Sequence, residues 1–146
     1  MYDSAPNSDV IETKACTVWM GKDRVIWVTV KPVDHHTIED ARALVDAHNR
    51  LADGVACRII CDMRHAKVGA DAASRAYYVG PEASEFKIAM AMVVGTETQR
   101  IFGNLFLRLN RPPYPMKLFK DPADAIAWLQ GYPDPTHTPR TSEPAP

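Results

Sequence analysis

The chain has 146 residues, of which 46% are hydrophobic and 24% are charged, so it carries enough apolar material for one globular domain without disulfides. Its formal net charge is -1 at pH 7, whereas proteins that bind the phosphates of nucleic acids present a strongly basic face. We therefore expect a single domain and no nucleic acid as a partner.

The two ends of the chain are polar and lack hydrophobic periodicity. Residues 133–146 contain five prolines among small polar residues, and residues 1–13 show no apolar pattern, so neither end can build a core. The first residues also lack the basic and apolar regions of a secretory signal, and no apolar stretch is long enough to span a membrane. These features predict a domain over residues 14–132 with disordered ends, located in the cytoplasm.

The domain is predicted to open with a hairpin and a helix. Two runs rich in β-branched and aromatic residues, CTVWM (16–20) and RVIWVTV (24–30), flank the turn residues GKD, a pattern typical of an antiparallel hairpin. The next segment, TIEDARALVDAHNRLAD (37–53), repeats apolar residues at helical spacing after Thr37, which suits the N-cap position.

Two apolar runs in the middle of the chain predict strands. CRIICD (57–62) and KIAMAMVVG (87–95) are short and apolar, as buried strands are. Between them, helix-forming residues run from about Ala70 to Gly80, where a Gly-Pro pair predicts the helix end and PEASEF (81–86) adds a further turn.

The last part of the domain is predicted to be helix, strand and helix. TETQRIFGNLFLRLN (96–110) is amphipathic and has Thr96 and Gln99 at capping-box spacing. MKLF (116–119) follows two prolines and predicts a strand, and an Asp-Pro pair then starts a helix over about 121–129. The order is β-β-α-β-α-β-α-β-α, which predicts an α/β fold with a single mixed, mainly parallel, five-stranded sheet.

Three motifs support a resemblance to a known family: RPPYP at 111–115, LF at 118–119 and AIAWL at 125–129. With this order of elements, the chain resembles the STAS domain, the fold of the sporulation anti-sigma-factor antagonists. It is most similar to uncharacterised bacterial STAS-like proteins. The resemblance covers nearly the whole predicted domain and implies a non-enzymatic module that regulates or binds another protein.

The resemblance also implies candidate site residues. In the antagonists, a strand ends in Asp, and a helix then starts with Asp-Ser-Ser-Gly, whose serine is phosphorylated. Asp62 matches the strand-end aspartate and Asp71 matches the aspartate of the helix start, whereas residues 72–73 are alanines, so that Ser74 is the nearest hydroxyl. The alternative is that Asp62 caps a loop and Ser74 is an ordinary helix residue.

The histidines do not predict a metal site. His35 and His36 are adjacent and cannot easily converge on one metal ion, and His48 lies on the apolar face of the first helix, as a core histidine would. His65 follows the strand end at Asp62, where ligands of open α/β sheets bind, so it is the histidine best placed for a ligand, with an exposed loop histidine as the alternative. We expect no metal and no cofactor.

The cysteines do not predict a disulfide or a metal site, and the sequence has no known catalytic motif. On one strand, Cys57 and Cys61 would lie roughly 13 Å apart, too far for a disulfide or a shared metal, so we expect them and Cys16 to be free, buried thiols. The sequence contains no nucleophile elbow, phosphate-binding loop, dinucleotide fingerprint or zinc-protease motif. We therefore predict that the protein is not an enzyme.

The helix over residues 97–110 has more apolar surface than a single stripe requires. Its apolar residues are Ile101, Phe102, Leu105, Phe106, Leu107 and Leu109. Either this helix is wedged between the sheet and the last helix, or part of it, including Phe102, Phe106 and Leu107, contacts a protein partner or a second copy of the chain in a homodimer.

Two functional hypotheses follow. The first is a regulatory or protein-interaction module of STAS type, with kinase control at Ser74 as one version of it. The alternative is a binder of a small apolar ligand or lipid, because the related fold of lipid-transfer domains holds a cavity between sheet and helix. The residues that could line such a cavity here are Phe86, Met90, Met92 and Phe106.

Overall fold

The computed structural model describes residues 10–133, which form one mixed sheet of six strands in the order β1-β2-β3-β4-β5-β6. Strands β1 to β3 are antiparallel neighbours, and β3 to β6 run parallel to one another. The strands are β1 Val10–Glu12, β2 Cys16–Met20, β3 Val25–Val30, β4 Cys57–Asp62, β5 Lys87–Val93 and β6 Met116–Phe119. The helices are α1 Ile38–Ala52, α2 Ala72–Tyr78, α3 Pro81–Ser84, α4 Glu97–Asn110 and α5 Pro122–Leu129.

The prediction of five strands is wrong by one. Strand β1 lies in the segment that we assigned to the disordered N-terminus, and it pairs with β2, so that Val10 lies opposite Trp19. Three residues are too few to reveal an alternating pattern, yet Ile11 packs against the core. The expected disorder of residues 1–9 and 134–146 lies outside the described residues.

Side-chain caps fix where the long helices begin. The Thr37 backbone N–H and hydroxyl both donate to the Asp40 carboxylate, which forms a capping box at the start of α1. A second capping box pairs Thr96 with Gln99 at the start of α4. The predicted starts of both helices are therefore confirmed.

The sheet separates two apolar layers. On one face, α1 packs over β2, β3 and β4, where Val18, Ile26 and Ile59 are fully buried. On the other face, α5 packs over β4 and β5. Each layer buries apolar area, which supplies most of the favourable free energy of folding.

Helix α4 lies beside β6 and does not bury its apolar face. Gly103 is its one buried residue, whereas Phe102, Leu105 and Leu109 are exposed. The helix is thus not wedged between the sheet and α5, and it leaves a space between itself, α1 and the sheet.

Candidate functional site

A cavity of about 370 Å³ lies between the sheet, α1 and α4. The residues of the sheet that line it are Val28, Val30, Ile59, Cys61, Met90, Met92 and Met116, and the apolar residues of the helices that line it are Leu44, Val45, Phe102, Leu105, Phe106 and Leu109. The lining is thus mainly aliphatic, aromatic and thioether, which is typical of sites for small apolar ligands.

The cavity opens to solvent along α4. Phe102 is 56% exposed and Leu109 is 68% exposed, although both line the cavity. An apolar side chain that faces a cavity and also contacts water is covered when a ligand enters, and each buried Å² of apolar surface contributes about 25 cal/mol. The arrangement is therefore suited to binding an apolar molecule.

One end of the cavity lies at the carboxyl ends of the parallel strands and is closed by polar groups. His36 Nε2 and the Tyr78 hydroxyl are 2.6 Å apart and share a hydrogen bond. Burial lowers the pKa of His36 and raises the pKa of Tyr78, so this pair is neutral at pH 7. Lys67 and Arg75 also line this end.

The opposite end contains Lys87, His48 and Tyr114. The Lys87 ammonium donates to the Ala83 carbonyl at 2.5 Å, and burial lowers the pKa of Lys87 to about 8. His48 is 2% exposed, and within residues 10–133 its Nε2 has no hydrogen-bond partner. Burial, together with the positive charge of Lys87, lowers the pKa of His48 to about 4.

The predicted site residue Asp62 lies outside this cavity. The Arg64 side chain donates to both carboxylate oxygens of Asp62, at 2.9 and 2.8 Å, and the Arg64 backbone N–H adds a third bond at 3.0 Å. Burial alone would raise the pKa of Asp62, but these bonds outweigh it and hold the pKa below its usual value. Asp62 therefore closes the turn after β4 as an ionised carboxylate.

The structure brings Asp71 and Ser74 together as a helix cap. Asp71 is the N-cap of α2, and its carboxylate accepts from the Ser74 backbone N–H at 2.8 Å. The Ser74 side chain is fully buried, with its hydroxyl 3.5 Å from the His36 carbonyl. His65, by contrast, is exposed in the loop between β4 and α2.

Some of the residues that were predicted to contact a partner or a ligand line the cavity, and others do not. Phe102 and Phe106 line the cavity with Met90 and Met92, whereas Leu107 is half-buried away from it. Phe86 instead packs against the core under α1. Lys87 was not identified from the sequence as a lining residue. A lysine at the first position of an apolar run is typical of the exposed end of a strand, so nothing in the pattern indicated that its side chain faces a cavity.

The described residues contain no cluster of metal ligands. Within residues 10–133, no group of three or more His, Cys, Asp or Glu side chains is arranged to hold a metal ion. The three cysteines are free and buried, as expected, and burial raises the pKa of Cys16 to about 12. No helix between residues 10 and 133 combines the length and apolar character that crossing a bilayer requires.

Comparison with known proteins confirms the fold and the predicted resemblance. The chain is similar to the crystal structure of an uncharacterised protein of the DUF3478 family from Shewanella loihica PV-4, which has a SpoIIAA-like fold. The match has a TM-score of 0.55 and 14% sequence identity, and it covers 82% of this chain and 90% of the other. The chain therefore has a STAS-like fold.

A search of curated proteins finds no match. The model of one protein family, described as a domain of unknown function (DUF7793), matches residues 18–133. Because this match spans most of the sequence, the chain belongs to the DUF7793 family.

Proposed function

We propose that the protein is a non-enzymatic binding module that holds a small apolar ligand or lipid in the cavity between the sheet and α4. The observation that carries this proposal is the position of Phe102, which lines the cavity and is 56% exposed. A side chain in this position gains contacts and loses water when an apolar ligand enters.

The methionines and the volume of the cavity suit small apolar ligands of different shapes. Three methionines of the cavity, Met90, Met92 and Met116, belong to neighbouring strands β5 and β6. Methionine is unbranched and polarizable, so it adapts to irregular surfaces. A volume of about 370 Å³ lies within the range of small-molecule pockets, about 300–1,000 Å³.

Binding without chemistry is proposed because burial holds the candidate nucleophiles around the cavity in their protonated forms. The Tyr78 hydroxyl contacts His36 Nε2, but burial raises the pKa of Tyr78. Burial raises the pKa of Cys61, which holds its thiol in the unreactive protonated form. Catalysis would require a nucleophile that a base can deprotonate, and the raised pKa values of Tyr78 and Cys61 oppose this step.

Binding of the uncharged dye Nile red tests the proposal. We expect wild-type protein to increase the dye fluorescence in a saturable manner, and Phe102→Ser to weaken binding about tenfold because it removes apolar contact area. The matched control is Ile101→Ser, because Ile101 is 54% exposed on the same helix but does not line the cavity. Equal effects of the two substitutions, or no saturable binding, would refute the proposal.

A second candidate is the protein-interaction module of STAS type, with a second copy of the chain as the partner. The observation that favours it is that Ile101 is exposed and lies away from the cavity, next to Phe102. Contiguous exposed apolar residues of this kind mark contact surfaces. If this second candidate is correct, light scattering after gel filtration gives a dimer mass for the wild type and a monomer mass for Ile101→Ser. A monomer mass for the wild type at high protein concentration would contradict self-association.

A further inference from the structure

Lys87 faces the cavity because the sheet is irregular at this point. The pairing of β4 with β5 shifts between Cys57 and Arg58, so that Cys57 lies opposite Lys87 and Arg58 lies opposite Ala89. In a regular strand, residues 87 and 89 would face the same side. Here Ala89 packs in the α5 layer, while Lys87 lines the cavity with Met90.

The Lys87 ammonium has more hydrogen-bonding capacity than its surroundings use. Within residues 10–133 its acceptor is one backbone carbonyl, that of Ala83, whereas an ammonium group has three donors. Between residues 10 and 133, Lys87 takes part in no salt bridge. With a pKa of about 8, the amine is mostly protonated at pH 7, and a partly buried cation is stabilised by a counter-ion.

The titratable neighbours His48 and Tyr114 add no negative charge at this end of the cavity. His48 is neutral at pH 7, and the charge of Lys87 contributes to its lowered pKa, so the two groups lie within electrostatic reach of each other. Of the other lining cations, Lys67 is paired with the Asp34 carboxylate at 2.5 Å. Arg75 donates to the Ala70 carbonyl at 2.8 Å and lies at the opposite end of the cavity.

We propose that the cavity binds an anionic amphiphile, namely an aliphatic chain that ends in a carboxylate, with the carboxylate paired to Lys87 and the chain lying along Met90 and Phe106 towards α4. This inference rests on the proposed function, because it specifies the class of apolar ligand. A carboxylate supplies the acceptors that the ammonium lacks, and charged hydrogen bonds are stronger than neutral ones.

Calorimetric titration with decanoate and 1-decanol tests the inference. Both probes have the same aliphatic chain, and they differ in the charge of the head group. We expect wild-type protein to bind decanoate at least about tenfold more tightly than 1-decanol. Lys87→Met should remove this preference, so that the variant binds the two probes with similar affinities.

The controls are Lys67→Met and Arg75→Met, which remove cations from the opposite end of the cavity; both should keep the preference for decanoate. Equal affinities of wild-type protein for the two probes overturn the inference and leave the proposed function intact, whereas failure of both probes to bind overturns the proposed function as well. Loss of the preference in Arg75→Met or Lys67→Met, but not in Lys87→Met, would place the head group at the other end and also overturn it. Should Lys87→Met fail to fold, the two controls still decide: a preference for decanoate that persists in both Lys67→Met and Arg75→Met places the carboxylate at Lys87, and its loss in either control overturns the inference.

Discussion

Gly103 of α4 lies against the side chain of Leu118 in β6, with no room for a side chain between them. A Cβ atom added at Gly103 would lie 2.9 Å from Leu118 Cδ1, which is closer than carbon atoms normally approach. Since Gly103 is the buried residue of α4, this contact holds the helix beside the sheet while its apolar face remains over the cavity. The contact therefore sets the position of α4.

A larger residue at Gly103 is expected to displace the helix. Gly103→Val should lower the free energy of unfolding by about 1–3 kcal/mol, because the new side chain overlaps Leu118. Urea denaturation measures the change. In the double variant Gly103→Val/Leu118→Ala, the space vacated by Leu118 should relieve the overlap, so the effects of the two substitutions should not add.

Asn104→Val provides the control for helix propensity, because Asn104 is the next residue of α4 and is exposed. Valine and asparagine have similar helix propensities, so this substitution should change stability by less than about 0.5 kcal/mol. Equal losses in the valine variants at 103 and 104 would show that Leu118 does not restrict the helix.

His48 is expected to make stability depend on pH between 7 and 5. Burial, with the charge of Lys87, lowers the pKa of His48 from 6.5 to about 4 in the folded state. Between these values the unfolded chain binds a proton that the folded chain does not, so stability falls as the pH falls. The loss from this group between pH 7 and pH 5 is about 2 kcal/mol.

Comparison of wild-type protein with His48→Gln by urea denaturation at pH 7 and pH 5 isolates this contribution. Glutamine does not titrate, so the loss of stability on acidification should be smaller in the variant by about 2 kcal/mol. The lowered pKa of His36 acts in the same direction, and both proteins retain it. An identical loss in the two proteins would mean that His48 is not neutral and buried at pH 7.

Ser74 is expected to tolerate no charge in the folded state. Its side chain is fully buried at the start of α2, so Ser74→Asp should lower the free energy of unfolding by about 3 kcal/mol. Ala73→Asp is the control, because Ala73 is exposed in the same helical turn and an acidic residue suits a helix N-terminus. Thermal unfolding compares the two variants.

This result bears on kinase control at Ser74, which remains a prediction of the resemblance. If Ser74 were a phosphorylation switch, Ser74→Asp would remain folded and would change binding to a partner. A folded Ser74→Asp variant with wild-type stability would support that version of the function and contradict the expectation from burial.

The strands and capped helices were predictable from the sequence because local patterns encode them. CRIICD became β4 with the predicted bounds, and Thr96 and Gln99 formed the predicted capping box at the start of α4. The strand Val10–Glu12 was not predictable, because three residues give no measurable alternation and its pairing with β2 is a tertiary contact.

The cavity could be predicted only in part. The pattern of α4 identifies its apolar face, but it does not reveal whether protein or solvent covers that face; here Gly103 alone is buried. The orientation of Lys87 depends on the irregular pairing of β4 with β5, and sequence alternation cannot show such a shift. Met90, Met92 and Phe86 were all expected to line a cavity. Met90 and Met92 do so, whereas Phe86 packs against the core.

The central claim is that an apolar molecule binds between the sheet and α4, and the methyl NMR signals of the methionines test it most directly. Met63, Met90, Met92 and Met116 line the cavity, whereas Met20 of β2 does not. On titration with 1-decanol, the account predicts saturable shifts of the four lining methyl groups and an unchanged Met20 signal. Unchanged signals at all four, or shifts of equal size at Met20, would contradict it.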